Sequence, residues 1–120
     1  MSRAVAAANL IASLAAASPG KRLLERRLGQ LALGVLASLR EGGMSPDSAA
    51  RELFNSDNYL ELKRRRLDRR LVELFEWGME LPDVSELVPA ALADSLDRMD
   101  KLAAGLLGPA DRPRPQRVRR

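Results

Sequence analysis

The most suggestive group of polar residues in the sequence surrounds its single tryptophan. Carboxylates recur there every three or four residues, and the candidate partner-binding set is Glu76, Trp77, Glu80, Asp83 and Glu86, preceded by Glu73. An aromatic side chain rimmed by acids is suited to bind a basic protein surface. The alternative is structural, with Trp77 half in the core and the carboxylates simply hydrated.

A second candidate is basic and predicts anion binding. Six basic residues and one aspartate lie between Lys63 and Arg70, which we interpret as a basic helix 63–70. Such a surface could bind the phosphates of nucleic acid. The alternative is a hydrated helix surface whose cations pair with neighbouring acids. Only Tyr59 lies nearby among the aromatic residues, so base stacking is not indicated.

The C-terminal segment, residues 108–120, extends this basic candidate. Residues 111–120 hold five arginines and one aspartate, whereas residues 1–110 hold 15 basic and 15 acidic residues, so the net charge of +4 belongs to this segment. Its prolines predict an extended, disordered tail, which either binds phosphates or only adds solubility. The full anion-binding set is Lys63, Arg64, Arg66, Arg70, Arg112, Arg114, Arg117, Arg119 and Arg120.

Two missing residue types exclude much catalytic chemistry. The chain has no histidine and no cysteine, which excludes cysteine and histidine nucleophiles, zinc sites of the usual ligands and disulfides. The acids do not have the spacing of a calcium loop or of a Glu-x-x-His site. We therefore expect no catalytic residues, no metal, no cofactor and no enzyme activity.

The composition predicts the elements that must position these residues. Alanine and leucine supply 40 of 120 residues, threonine is absent, and aromatic residues are 3%. Strands favour β-branched and aromatic side chains, whereas Ala, Leu, Arg and Glu favour helices. We therefore predict an all-α fold. No apolar run approaches the roughly 20 residues of a membrane span, and we expect a cytoplasmic protein.

Helix start and stop signals divide the chain. An apolar stripe predicts a helix from Lys21 to Glu41, and Ser45 and Pro46 begin the next. The following helices are expected at about 58–66, from Asp68 to Gly78, at about 81–88 and from Pro89 to about 107. The organisation is therefore an Ala-rich accessory helix in residues 1–20, a compact bundle of five or six short helices in residues 21–107, and the tail 108–120.

Four segments carry a resemblance to a known family. They are residues 33–43, residues 44–54, the stretch Gly78-Met79-Glu80-Leu81-Pro82-Asp83-Val84, and residues 87–96. Over about residues 28–99 the chain resembles a small uncharacterised bacterial family, domain of unknown function 3969. The resemblance implies a bacterial origin and the family's fold, and it implies no activity.

These observations favour a bacterial protein that works by binding another protein. Its most concrete form is an immunity or inhibitor protein, or a regulator, that acts on a basic partner through the Trp77–Glu86 region. The alternative is a nucleic-acid-associated accessory protein that uses the basic helix 63–70 and the arginine tail. A third hypothesis is a homo-oligomer of purely structural use.

Overall fold

Six α-helices and one 3-10 turn account for the regular structure of the residues that the structure describes. The structure is a computed structural model; it describes residues 3–107, with side chains from residue 10 onwards. The helices are α1 (Arg3–Ala16), α2 (Lys21–Glu41), α3 (Pro46–Glu52), α4 (Ser56–Arg64), α5 (Arg69–Leu87) and α6 (Leu92–Ala104), and the 3-10 turn is Pro89–Ala91. Residues 3–107 contain no strand, which confirms the all-α prediction. The predicted tail lies outside the described residues.

The ends of α2 and the start of α3 follow from their local sequence. Gly42 adopts a left-handed φ of 81°, and its N–H and that of Gly43 donate to carbonyl groups of the last turn of α2. The hydroxyl of Ser45 accepts a hydrogen bond from the Ser48 N–H at 3.0 Å, while Pro46 occupies the first helical position. Both predicted boundaries are confirmed.

A buried amide joins α3 to α4, and α4 begins at Ser56, two residues before the predicted start near Asn58. The helix-capping residue of α4 is Asn55, whose side-chain oxygen accepts from the Asn58 N–H at 2.9 Å. Asn58 itself is fully buried, and its side-chain amide donates to the Leu53 carbonyl at 2.9 Å. Because this bond supplies a partner for the backbone where α3 has ended, the chain turns sharply between the two helices.

The helix α5 is longer than predicted, and this difference matters most for the site. It continues through Gly78 and Pro82 to Leu87, whereas the sequence signals predicted an end at Gly78 and a new helix near Leu81. Glycine and proline together cost a helix interior roughly 4 kcal/mol relative to alanine. Burial of the adjacent apolar side chains against α3 and α6 outweighs that cost.

The core lies around α5. Phe54, which follows α3, and Phe75 are both fully buried and meet edge to face, with ring centroids 5.2 Å apart. The helix α6 packs on both α5 and α2, and α1 packs on α2 and α4, with Ile11 fully buried. Leu28, Leu36, Leu62, Leu71, Leu74, Leu81 and Met99 complete the innermost core. One hydrophobic core thus holds α5 in place from several sides.

Candidate protein-binding surface

The acidic face of α5, defined as Glu76, Trp77, Glu80, Asp83 and Glu86, lies on one uninterrupted helix. Because α5 does not end at Gly78, the periodicity of 3.6 residues per turn continues through the whole set. It places Glu76, Glu80 and Asp83 within about 60° of arc, and Glu86 about 60° further round. All four carboxylates are exposed, and Trp77 is half-buried. The structure therefore brings together the predicted partner-binding residues.

Trp77 and the preceding Glu73 make hydrogen bonds within the protein. The Arg98 guanidinium on α6 donates to the Glu73 carboxylate at 2.6 Å, and the Trp77 indole N–H donates to the same oxygen at 3.3 Å. Arg98 first, and Trp77 second, hold the pKa of Glu73 below its usual value. The indole N–H is thus used within the chain, and only the ring remains for a partner.

Glu76 is oriented by a neighbouring helix. The Tyr59 hydroxyl on α4 donates to its carboxylate at 2.7 Å. That hydrogen bond to an anion raises the pKa of Tyr59. The hydrogen bond sets the position of the Glu76 carboxylate on the surface.

The rest of the acidic face has no internal partner. Glu80, Asp83 and Glu86 make no hydrogen bond or ion pair through their side chains within the described residues. Immediately after them, Leu87 is 73% exposed and Val88 is 54% exposed. The end of α5 therefore presents unpaired carboxylates beside two uncovered apolar side chains.

Residues 63–70 do not form one basic helix, so that interpretation is wrong, whereas the predicted break between the helix at about 58–66 and the helix from Asp68 is confirmed. The helix α4 ends at Arg64 and α5 begins at Arg69, with Arg66 at a left-handed φ of 57° between them. Two interactions impose the break. The Asp68 carboxylate accepts from the Arg70 N–H at 2.8 Å as the cap of α5, and Leu67 is buried in the core.

Several cations of this segment are already paired. Arg64 and Arg65 both donate to Glu61, the latter at 2.6 Å, and Arg64 is the main reason that the pKa of Glu61 is lowered. Arg70 pairs with Asp68 at 2.7 Å and also donates to the Gly105 carbonyl. Two predicted anion-binding residues, Arg64 and Arg70, are thus committed to the protein's own acceptors.

Three other cations remain without an ion pair and share one groove. Lys63, Arg66 and Arg69 lie along a groove of about 580 Å³, which we call the basic groove. Its other lining residues are Leu67, Val72, Glu73, Glu76 and Trp77. Arg69 was not in the predicted set; its position, seven residues before Glu76, is the signal that could have placed it on this face. The predicted tail residues Arg112, Arg114, Arg117, Arg119 and Arg120 lie outside the described residues.

The Asp68–Arg70 pair predicts an acid-dependent loss of stability. The Arg70 guanidinium lowers the pKa of Asp68 below its ordinary 3.8, against the opposing effect of partial burial. A carboxyl group whose pKa is lower in the folded than in the unfolded protein stabilises the fold fully at pH values above its unfolded-state pKa. This stabilisation is lost as the pH falls through its folded-state pKa. We expect Asp68→Asn, which keeps a capping oxygen, to be less stable than the wild type at neutral pH.

Urea unfolding at neutral pH and at about pH 3 checks this expectation. The difference in the free energy of unfolding between the wild type and Asp68→Asn should be smaller at about pH 3 than at neutral pH. Glu41→Gln is the control, because Glu41 is exposed and makes no ion pair with the described residues. A gap that stays constant with pH would show that the charge of Asp68 does not contribute.

The described residues offer little for other kinds of site. Residues 3–107 contain no cluster of three or more His, Cys, Asp or Glu side chains that could hold a metal ion. Nor does any helix within that range have the length and apolar character that crossing a membrane requires.

Comparison with known proteins yields a family and no activity. No curated protein and no solved structure matches the chain. A family model described as a protein of unknown function, DUF3969, matches residues 20–117. This range contains the four segments noted in the sequence and extends beyond them at both ends. The chain belongs to the DUF3969 family.

Proposed function

We propose that this protein is a non-enzymatic protein-binding module whose acidic face on α5 docks against a basic surface of another protein. The bacterial cytoplasm is the location that fits this proposal. An immunity or inhibitor protein that neutralises a basic toxin is its most concrete form, and a regulator of a basic protein is the other.

The observation that carries the proposal is that Glu80, Asp83 and Glu86 are exposed on one helix and make no ion pair within the described residues. Glu76 and Glu80, and then Asp83 and Glu86, stand three or four residues apart on one helix, where like charges repel. Glu86 also lies in the last turn of α5, where the helix dipole favours cations instead. Since the described residues supply no cation to Glu80, Asp83 or Glu86, a basic partner would relieve both penalties.

The neighbouring apolar side chains supply what charge alone does not. Interface hot spots combine an aromatic or aliphatic anchor with a polar rim that excludes water. The ring of Trp77 and the exposed side chains of Leu87 and Val88 stand beside the carboxylates in this way. Charges would then steer the encounter, and the apolar contacts would set the dissociation rate.

Nucleic-acid association remains the alternative. Its support within the described residues is now Lys63, Arg66 and Arg69, since Arg64 and Arg70 are paired internally. The alternative predicts binding that falls steeply with salt and depends on phosphate contacts.

Affinity capture from native lysate tests the proposal. We expect the wild-type chain to retain one stoichiometric protein with a basic surface, with or without nuclease treatment. Reversal of two acids, Glu80→Lys with Asp83→Lys, should weaken the purified complex at least about tenfold by calorimetry, because attraction becomes repulsion.

The matched control is Glu41→Lys with Glu52→Lys. These two exposed acids lie on α2 and α3, make no ion pair with the described residues, and produce the same net charge when reversed. This control should keep the affinity. An unchanged affinity of the Glu80/Asp83 variant refutes the proposal, and recovery that collapses with nuclease favours the nucleic-acid alternative.

A further inference from the structure

The exposed surface along α5 is charged oppositely at its two ends. The basic end is formed by Lys63, Arg66 and Arg69, and the acidic end by Glu80, Asp83 and Glu86. None of these six side chains makes an ion pair within the described residues. The two ends therefore carry equal numbers of charges of opposite sign without an ion pair, and the Lys63 ammonium lies over the Tyr59 ring, 5.2 Å from its centroid.

The two ends share one side of the molecule. Arg69 and Leu87 are 18 residues apart, which is five complete helical turns, so they project in the same direction. The basic groove contains Arg69 together with Glu76 and Trp77, which connects the basic end to the acidic face. A flat partner can therefore contact both ends at once.

We propose that this surface binds a second copy of the chain, with the two α5 helices antiparallel and a two-fold axis near Trp77. The basic end of each copy then lies against the acidic end of the other. Arg69 and Asp83 are about 21 Å apart along the helix, and the pairing brings Arg69 of each copy level with the interval between Asp83 and Glu86 of the other. A two-fold interface uses the same patch on both subunits, as this arrangement requires.

The apolar side chains fit the same register. With the axis near Trp77, Leu87 of one copy comes level with the start of α5 in the other, where Arg69 lines the basic groove. The exposed Leu87 and Val88 are then covered by a groove of about 580 Å³ whose lining includes Leu67, Val72 and Trp77. This contact supplies apolar burial that a purely ionic dimer would lack.

The carboxylates of Glu73, Glu76 and Glu80 lie closest to the axis, and their repulsion opposes the pairing. Glu73 is paired with Arg98, and Glu76 accepts the Tyr59 hydroxyl. The pairing therefore rests on the charges further from the axis, where Arg69 of one copy meets Asp83 and Glu86 of the other. The dimer does not depend on the function proposed above, but it covers the acidic face, so a second copy and a basic partner would compete for that face.

Light scattering on the full-length chain tests the pairing. At an ionic strength of about 0.01 M, where the screening length is about 30 Å, we expect a mass twice the 13.2 kDa of the chain. We expect the dissociation constant of the dimer to rise at least about tenfold near 1 M salt, where the screening length is about 3 Å. Two reversed variants should each be monomeric: Asp83→Lys with Glu86→Lys, and Lys63→Glu with Arg69→Glu.

Mixing these two variants provides the decisive result. The two variants have complementary charges and should form a one-to-one heterodimer. The control variant with Glu41→Lys and Glu52→Lys should dimerise as the wild type does. A wild-type monomer at low salt, or a dimer that survives either double reversal, overturns the proposal.

Two further variants separate this dimer from other interactions. Changing all five tail arginines to glutamine should leave the dimer intact, and loss of the dimer would assign the contact to the tail and overturn our proposal. The Lys63/Arg69 variant should lose the dimer yet keep a basic partner, so failure of the dimer and failure of the proposed function give different results.

Discussion

Replacing Gly78 by alanine is expected to destabilise the protein by about 3 kcal/mol. A Cβ at this position would lie 2.2 Å from Phe54 Cγ and 2.6 Å from Phe54 Cβ. These atoms are close to the backbone of Phe54, so the ring cannot move aside by a change of rotamer alone. The overlap must be relieved by a shift of α3 against α5, and urea denaturation of the purified chain measures the loss.

Gly34→Ala is the matched control, and it should change the free energy of unfolding in the opposite direction. Gly34 also lies inside a helix, but a Cβ there would meet nothing within 4 Å. Alanine should therefore stabilise by about 0.5–1 kcal/mol through the lower entropy of the unfolded chain. If both variants were stabilised equally, close contact between Phe54 and Gly78 would be wrong.

Phe54→Ala is expected to cost about 3–5 kcal/mol, the second large effect. The side chain is fully buried, meets Phe75 edge to face and covers Gly78. Its removal leaves a cavity between α3 and α5 that rigid neighbours cannot fill. The measurement is again the free energy of unfolding in urea, together with circular dichroism to establish that the helices remain.

A double-mutant cycle distinguishes this mechanism from a general weakening of the core. In the Phe54→Ala background, Gly78→Ala should cost less than in the wild type, because Phe54 Cγ is gone while Cβ, 2.6 Å away, remains. The coupling should exceed about 1 kcal/mol. Leu60→Ala, at a position 61% exposed, should change stability by less than about 0.5 kcal/mol. Additive costs of the two substitutions would contradict the contact.

The sequence alone determined the helical class, the family and most helix starts. Ser45, Pro46 and Asp68 each encode a helix start locally, because a side-chain oxygen or a fixed φ acts on backbone atoms a few residues away. Gly42 likewise encodes the end of α2, because a residue without Cβ adopts a left-handed φ freely. The grouping of acids around Trp77 was also evident, since a period of three or four residues is a property of the sequence.

Only the tertiary structure decided which of those charges are available. Whether an arginine is free depends on acceptors that the fold brings to it, as Gly105 is brought to Arg70 from 35 residues away. Hence the available cations are Lys63, Arg66 and Arg69, a different set from the one that the sequence indicated.

The course of α5 was also a tertiary decision. Gly78 and Pro82 both disfavour the interior of a helix, and each destabilises α5 relative to alanine at the same position. The opposing energy comes from Phe54, 24 residues earlier in the chain, which fits against Gly78 only when the backbone there is helical and has no Cβ. Because of this long-range packing, α5 is one continuous helix where the sequence predicted two. The continuous helix places the acidic residues on one face.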